Sequence, residues 1–332
     1  MAYSVASTSQ AGFATEKESI VREVAIVSPV RTAVGNFGGG LKDISAAELG
    51  SHVIKAVLEK TGLEPAKIDE VILGHGYPSG EEPAIGRLCA LKAGLPIEIP
   101  GYQLDRRCSS GLQSILNGCM MIQTGNADVV LAGGVESMSR VEFYTTDARW
   151  GSRMGSVTLH DRLTRARATA SPDERFGPIS GMIETAENLA ERHQITREEQ
   201  DAYALRSHQG AIAAIESGKF AEEIVPVPIP QRRGEPKLFQ VDEGPRKDTS
   251  LEVLAKLRSI MPDGTVTAGN ASAQNDAASV CLLVAADKLA ELGLKPMAFL
   301  KGWAVAGVHP AYMGIGPVPA VEKPCAWVAD KV

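Results

Sequence analysis

The spacing of apolar residues along this chain alternates between two periods. Residues 22–32 (REVAIVSPVRT) are a short apolar run that ends in turn chemistry, the pattern of a buried strand. After FGGG the period lengthens to that of a helix. Ser45 and Glu48 make a capping box, Leu49, Val53 and Val57 share one face, and Gly62 ends the segment. DEVILGHG predicts a second strand, PAIGRLCALKAG a short helix and YQLDRRC a third strand. SSGLQSILNGCMMIQTG follows as a helix with Leu112, Ile115, Leu116, Cys119 and Met120 on its buried side, and ADVVLAGGVESMS as a fourth strand. Strands and helices alternating in this way predict an α/β layered sheet with helices on both faces.

The pattern changes near residue 140. From there to about residue 265 come charged helices and Pro-rich links such as PVPIPQRRGEPK. Thr196 and Glu199 start a long helix that ends at Gly218, and TSLEVLAKLRSI predicts another. This stretch reads as a large excursion over one face of the sheet. Regular patterning resumes at GTVTAGNASAQNDAASVCLLVAADKLAELG. AFLKGWAVAGV then predicts a strand that restarts the pattern of residues 22–35, a weak internal duplication. The domain organisation expected is a loose tail over 1–21 and a first α/β half over 22–139 continued by 274–294. An inserted loop domain over 140–273 and the start of a second half over 295–332 complete it.

Composition narrows the function classes. With 44% apolar and 22% charged residues the chain is globular, and 33 glycines beside only 5% aromatics suit close packing of helices on a sheet. A net charge of −6 argues against nucleic acid as the main partner. The basic clusters at Arg162–Arg167 and Gln231-Arg232-Arg233 remain available to a phosphate-bearing ligand. No apolar run reaches membrane-spanning length. The opening residues lack the basic start and apolar stretch of a secretory signal, and they contain no Arg, so no transit peptide is expected. The five cysteines are an odd number at irregular spacing with no CxxC pair, which signals neither a zinc site nor a disulfide framework. A reducing, cytoplasmic setting is expected.

One cysteine stands in a chemically pointed place. In DRRCSSGLQSI, Cys108 lies between a predicted strand and a predicted helix, where free N–H groups and the helix dipole face its sulfur. Such surroundings raise the thiolate fraction of a thiol. Arg106 and Arg107 add positive charge nearby, and Ser109, Ser110 and Gly111 are small enough to let a bulky acyl group approach. The alternative is an inert cysteine packed at a strand end.

At these residues the chain resembles the thiolases, coenzyme-A-dependent acyltransferases that form or cleave β-ketoacyl thioesters. VSPVRTAVGNFGG is similar to the family's opening strand and loop, DRRCSSGLQSI to the segment carrying its acylated cysteine, and ADVVLAGGVESMS to the strand that follows. DGTVTAGNASAQND resembles the segment lining the coenzyme A channel, and MGIGPVPAVEK the start of the second half. The resemblance implies a thiolase-like layered αβαβα fold with its second half incomplete. It implies Cys108 as nucleophile, Ala268 and Ser272 against the pantetheine arm, and Met182 and Met313 near the acyl group. On residue type alone, Ser272 could equally cap a turn, and the two methionines could be packing residues. Coenzyme A and acyl-CoA enter as substrates, with no separate cofactor and no metal. A homodimer or homotetramer is the family's habit.

The sequence also departs from the family. Gly181 stands where a histidine usually precedes the methionine matched by Met182, which hints at a wider pocket. The family's Asn-Glu-Ala-Phe segment, Gly-His-Pro histidine and second, glycine-flanked cysteine have no counterpart in these residues. Pro324 in PCAWVADKV is expected to obstruct the helix that PAVEK begins. His309 in GVHP imitates the Gly-His-Pro motif but falls at a different loop, so it reads as an ordinary loop histidine, as does His75 in GHGYPSG. The latter stretch lacks the spacing of a dinucleotide-binding loop. Two other readings are a non-catalytic acyl-CoA-binding or inactive thiolase fragment and a β-ketoacyl synthase-like condensing enzyme, which shares the fold and a Cys-Ser pair.

Overall fold

Alternating apolar runs build one mixed sheet with helices against both of its faces. The computed structural model describes residues 21–179 and 181–329; the tail expected over 1–21 lies outside them except for Val21. Strands β1 (Val24–Arg31) and β2 (Gly35–Asn36) lead into α1 (Ala46–Thr61). Then follow β3 (Glu70–Gly74), α2 (Ile85–Ala93), β4 (Gly101–Leu104), α3 (Ser110–Gln123) and β5 (Val129–Ser137). The excursion holds two small hairpins, β6 (Phe143–Tyr144) with β7 (His160–Asp161) and β8 (Val227–Ile229) with β9 (Lys237–Phe239). Between the hairpins lie α4 (Arg162–Ala168), α5 (Asp173–Phe176), α6 (Met182–His193) and α7 (Arg197–Glu216). The chain continues through α8 (Leu251–Ala255), β10 (Asn275–Ala285), α9 (Leu289–Leu292), β11 (Ala298–Phe299) and α10 (Pro317–Ala329).

The main sheet runs β11-β1-β10-β5-β3-β4, with β2 paired to the start of β10. β3 is parallel to both neighbours, whereas β10 is antiparallel to β1 and to β5. Successive residues of a strand point to opposite faces, and here both faces are buried. Val129, Leu131 and Val135 of β5 and Leu282 and Val284 of β10 join the core beneath α1 and α2. Val130, Ala132, Cys281 and Leu283 join a second core with Cys119 and Ile122 of α3. Strands covered on both sides need no polar face, which explains why VVLAGG and VCLLVA read as unbroken apolar runs.

Helix α1 begins and ends as its sequence predicts. The Ser45 hydroxyl accepts from the Glu48 N–H at 3.2 Å, Glu48 accepts from the Ser45 N–H at 2.8 Å, and Gly62 closes the helix in the left-handed region at φ 65°. Four local expectations need correction. The third strand stops at Leu104, and Asp105–Ser109 is a tight turn. The buried stripe of α3 is rotated: Leu116, Cys119 and Ile122 are buried, Ile115 and Met120 are half-buried, and Leu112 is 62% exposed. The helix sits on the sheet by its small residues, with Gly118 against Leu283 and Val130 and the Ser114 hydroxyl donating to the Gly133 carbonyl at 2.5 Å. That close seat turns Leu112 outward. The strand expected over AFLKGWAVAGV shrinks to Ala298–Phe299, because in antiparallel register Leu300 already reaches Val24, where β1 begins. Finally, α10 runs through Pro324 rather than stopping there. A proline removes one bond to the fourth residue back, and this 13-residue helix continues past that gap with Pro324 packed against Gly302.

Candidate active site

Cys108 lies on the turn that joins β4 to α3, and its side chain is exposed. The turn is knotted by short-range hydrogen bonds. The Asp105 carboxylate accepts from the Arg107 N–H at 2.7 Å, and Arg107 takes a left-handed conformation at φ 50°. The Ser110 hydroxyl accepts from the Arg106 N–H at 2.8 Å and donates to the Arg107 carbonyl at 2.6 Å. Non-glycine residues adopt positive φ rarely and at a cost, so the strain at Arg107 is held by these bonds. Ser109 is the N-cap of α3, and its side chain makes no capping bond. An uncapped helix start leaves backbone donors free on the side where Cys108 stands.

Glycines bring the helix down onto the strands. A Cβ at Gly74, the last residue of β3, would run into the backbone of Ser110 and Gly111, and a Cβ at Gly134 would lie 3.2 Å from the Gly111 Cα. The end of β3 and the middle of β5 therefore fix where α3, and with it Cys108, begins.

Of the other residues picked out by resemblance, Met182, Ala268 and Met313 lie on α6 or on segments hydrogen-bonded to it. Met182 is its first residue and is 46% exposed. Glu187 of α6 clamps the segment that precedes Ala268, accepting from the N–H groups of Thr265 (2.9 Å) and Val266 (2.7 Å) and from the Thr265 hydroxyl (2.8 Å). Burial raises the Glu187 pKa, and these bonds more than offset it, leaving the carboxyl below its ordinary value. Asn188 donates to the Ala311 carbonyl at 3.1 Å, tying α6 to the Pro310–Ile315 turn that carries Met313. Ala268 and Ser272 are exposed, and among the described residues the Ser272 hydroxyl has no hydrogen-bond partner, so it caps no turn.

Arg167 of α4 links this group to the Cys108 turn, a role that no local pattern signals. Its Nε donates to the Tyr77 hydroxyl at 3.2 Å, and the Arg107 guanidinium faces the same ring 6.0 Å from its centroid. With the Gln274 amide oxygen turned toward it, as the hydrogen-bonding network requires, Arg167 also donates there at 2.8 and 3.2 Å. Its aliphatic stem lies beside Gly181. Only the cluster Arg162–Arg167 was legible, and it was legible as a phosphate ligand. Arg162 instead bonds Glu142 at 2.7 Å and the Pro78 carbonyl. Arg232 and Arg233, on the β8–β9 connection, are exposed and make no ion pair among the described residues.

Three further positions answer questions the sequence raised. Gly181 adopts φ 144° and ψ −155°, a region open to glycine alone, so a histidine there would need a different backbone as well as more space. His309 caps the Pro310–Ile315 turn by accepting from the Ala311 N–H at 3.2 Å, with its ring edge-on to Phe176. It behaves as the ordinary loop histidine expected. His75 does not, because it is 2% exposed and stands against Glu136. Among the described residues no cluster of His, Cys, Asp and Glu could hold a metal ion, and no helix is long and apolar enough to cross a membrane.

The other cysteines are chemically distinct from Cys108. Burial pushes the thiols of Cys89, Cys119 and Cys281 up to about 12, so they stay protonated near neutral pH. Only Cys108 and Cys325 are exposed. Iodoacetamide is expected to label those two in the folded protein and all five in denaturant. Peptide mapping by mass spectrometry checks this.

Comparison with known proteins agrees with this architecture. The profile of the thiolase N-terminal domain matches residues 24–287. The acetyl-CoA acetyltransferase of Pseudomonas aeruginosa is 47% identical over 304 residues, covering 91% of this chain and 76% of that protein. The crystal structure of the Bacillus anthracis acetyl-CoA acetyltransferase superposes with a TM-score of 0.86 at 44% identity, covering 91% of this chain and 75% of that one. Human mitochondrial 3-ketoacyl-CoA thiolase gives a TM-score of 0.85 at 39% identity, covering 92% and 76%. Sheet and helices are thus those of an α/β acyltransferase scaffold. The chain belongs to the thiolase family.

Proposed function

We propose that this chain is a thiolase-type acyl-CoA C-acyltransferase that works through an acyl-cysteine intermediate on Cys108. The observation that supports this most is the exposed Cys108 thiol at the uncapped start of α3, in a chain that matches the thiolase N-terminal domain over residues 24–287. The match also favours thiolase over a β-ketoacyl synthase.

In the first half-reaction the Cys108 sulfur attacks the thioester carbonyl of an acyl-CoA. Coenzyme A leaves as the thiol, carrying the proton that Cys108 gave up, and the acyl group stays on Cys108. Backbone N–H groups at the head of α3, the Cys108 N–H among them, stabilise the oxyanion of the tetrahedral intermediate. In the synthetic direction the α-carbanion of a second acyl-CoA bonds to the acyl carbon as the C–S bond to Cys108 breaks, and the α-proton ends on the freed Cys108 thiolate. In the degradative direction coenzyme A cleaves a β-ketoacyl-CoA through the same intermediate. Ala268 and Ser272, exposed on a loop clamped by Glu187, contact the pantetheine arm. Met182 and Met313 line the acyl side. Coenzyme A is substrate and product, and no separate cofactor takes part. The assembly is a homodimer or homotetramer, which sedimentation velocity can assign.

The test is incubation with acetyl-CoA followed by peptide mass spectrometry. One acetyl group on the Cys108 peptide is expected. Coenzyme A binding in a calorimeter with no acyl increment on Cys108 would overturn the transferase reading in favour of a binding protein.

A further inference from the structure

His75 is the buried group that the proposed chemistry leaves unused. It follows the last residue of β3, is 2% exposed, and donates its backbone N–H to the Leu104 carbonyl at 3.0 Å. Its Nε2 lies 3.3 Å from Glu136 Oε1 near the end of β5. Among the described residues, His75 Nδ1 and Glu136 Oε1 have no hydrogen-bond partner. Buried polar atoms without partners are uncommon because they lose water and gain nothing in exchange. An apolar side chain would fill the same space without that loss, so packing alone does not account for an imidazole here.

The contacts of Glu136 lead toward Cys108. Its second oxygen accepts from the Gly76 N–H at 2.8 Å, and the Gly76 carbonyl accepts from Arg107 Nη1 at 2.9 Å. Gly76 also lies against the peptide that enters Cys108, since a Cβ there would be 3.1 Å from Glu136 Oε2 and 3.6 Å from the Arg107 carbonyl oxygen. Arg107 is the strained residue of the turn, at φ 50°. The carboxylate thus faces the imidazole with one oxygen and holds the strained turn, through Gly76, with the other.

We infer that His75 and Glu136 form a positioning pair for Cys108. The inference rests on the reading of Cys108 as the acylated atom. The negative charge of Glu136 Oε1, 3.3 Å from Nε2 without a formed hydrogen bond, favours the tautomer with the proton on Nε2, and its attraction to the imidazole keeps the carboxylate at the angle from which it binds Gly76. His75 is a positioning residue, acting through Glu136, Gly76 and Arg107, and it does not itself touch the acyl group.

The experiment compares rates of iodoacetamide alkylation at Cys108 in the full chain, with Cys325, the other exposed thiol, as internal reference. His75→Leu keeps the bulk and removes the polar atoms. It is expected to slow Cys108 at least about fivefold, because small displacements of a reacting atom cost rate steeply, and to leave Cys325 unchanged. His75→Gln restores an N–H toward Glu136 and is expected to return to within about twofold of the wild-type rate, as conservative rescue requires. A wild-type rate in His75→Leu, or a His75→Gln variant as slow as His75→Leu, overturns the inference. Should His75→Leu fail to fold, Glu136→Gln decides, because it keeps an oxygen for Gly76 but removes the charge that orients the imidazole. Slower alkylation at Cys108 alone is then expected, and an unchanged rate overturns the pair. Wild-type Cys108 reacting no faster than Cys325 would instead refute the nucleophile reading beneath it.

Discussion

Cys108→Ala is expected to abolish acyl transfer to the protein while leaving its stability unchanged. The side chain is exposed, so removing its sulfur opens no cavity, and surface changes of this kind stay within about ±0.5 kcal/mol. The loss falls on chemistry alone, because the covalent step has no atom on which to proceed. Cys108→Ser should fare little better, since a hydroxyl needs an adjacent base to become nucleophilic. The buried thiols cannot substitute. Cys89, Cys119 and Cys281 are held protonated by burial and are closed to a substrate as large as acyl-CoA. Cys325 is the one other exposed thiol. The measurement is acetyl incorporation from acetyl-CoA for wild type and both variants, with thermal unfolding alongside. Acetylation persisting at an undiminished rate in Cys108→Ala would place the reacting atom elsewhere.

The parts of this protein legible in its sequence are those governed by local rules. The Ser45–Glu48 and Thr196–Glu199 capping boxes, the Gly62 stop and the apolar runs of β5 and β10 depend on a few neighbouring residues, and each is realised in the fold. The errors arose where tertiary contacts decide. Nothing in SSGLQSILNGCMM says that Ser114 and Gly118 will lie on the sheet and turn Leu112 to the surface, because the glycines that permit this approach, Gly74 and Gly134, belong to β3 and β5. Arg167 and His75 follow the same logic. Arg167 lies far in sequence from its partners Tyr77 and Gln274, as His75 does from Glu136, and no periodicity links them. The place of Cys108 just ahead of α3 was legible because small residues opening a helix are a local signal, although the strand before it ends at Leu104.

Gly74→Ala is expected to damage stability and chemistry together, and so tests whether the sheet itself positions Cys108. The new methyl carbon would fall within 2.5 Å of the Gly111 nitrogen and the Ser110 carbonyl oxygen. These are backbone atoms of the first turn of α3, so no side-chain rotation relieves the clash. The helix start must move away from β3. Overpacking of this kind costs roughly 1–3 kcal/mol, which a lowered urea midpoint at unchanged slope would report. Movement of Ser110 also disturbs the bonds from its hydroxyl to Arg106 and Arg107, on which the Cys108 turn depends. Misplacement by about 1 Å can cost on the order of a hundredfold in rate, so acetyl incorporation at Cys108 should fall by about that factor even under conditions where the variant is fully folded. Gly80→Ala is the matched control, since a Cβ at Gly80 meets nothing within 4 Å and should change neither quantity. A Gly74→Ala protein that is less stable yet acetylated at the wild-type rate would show that the turn holds its own geometry without support from β3.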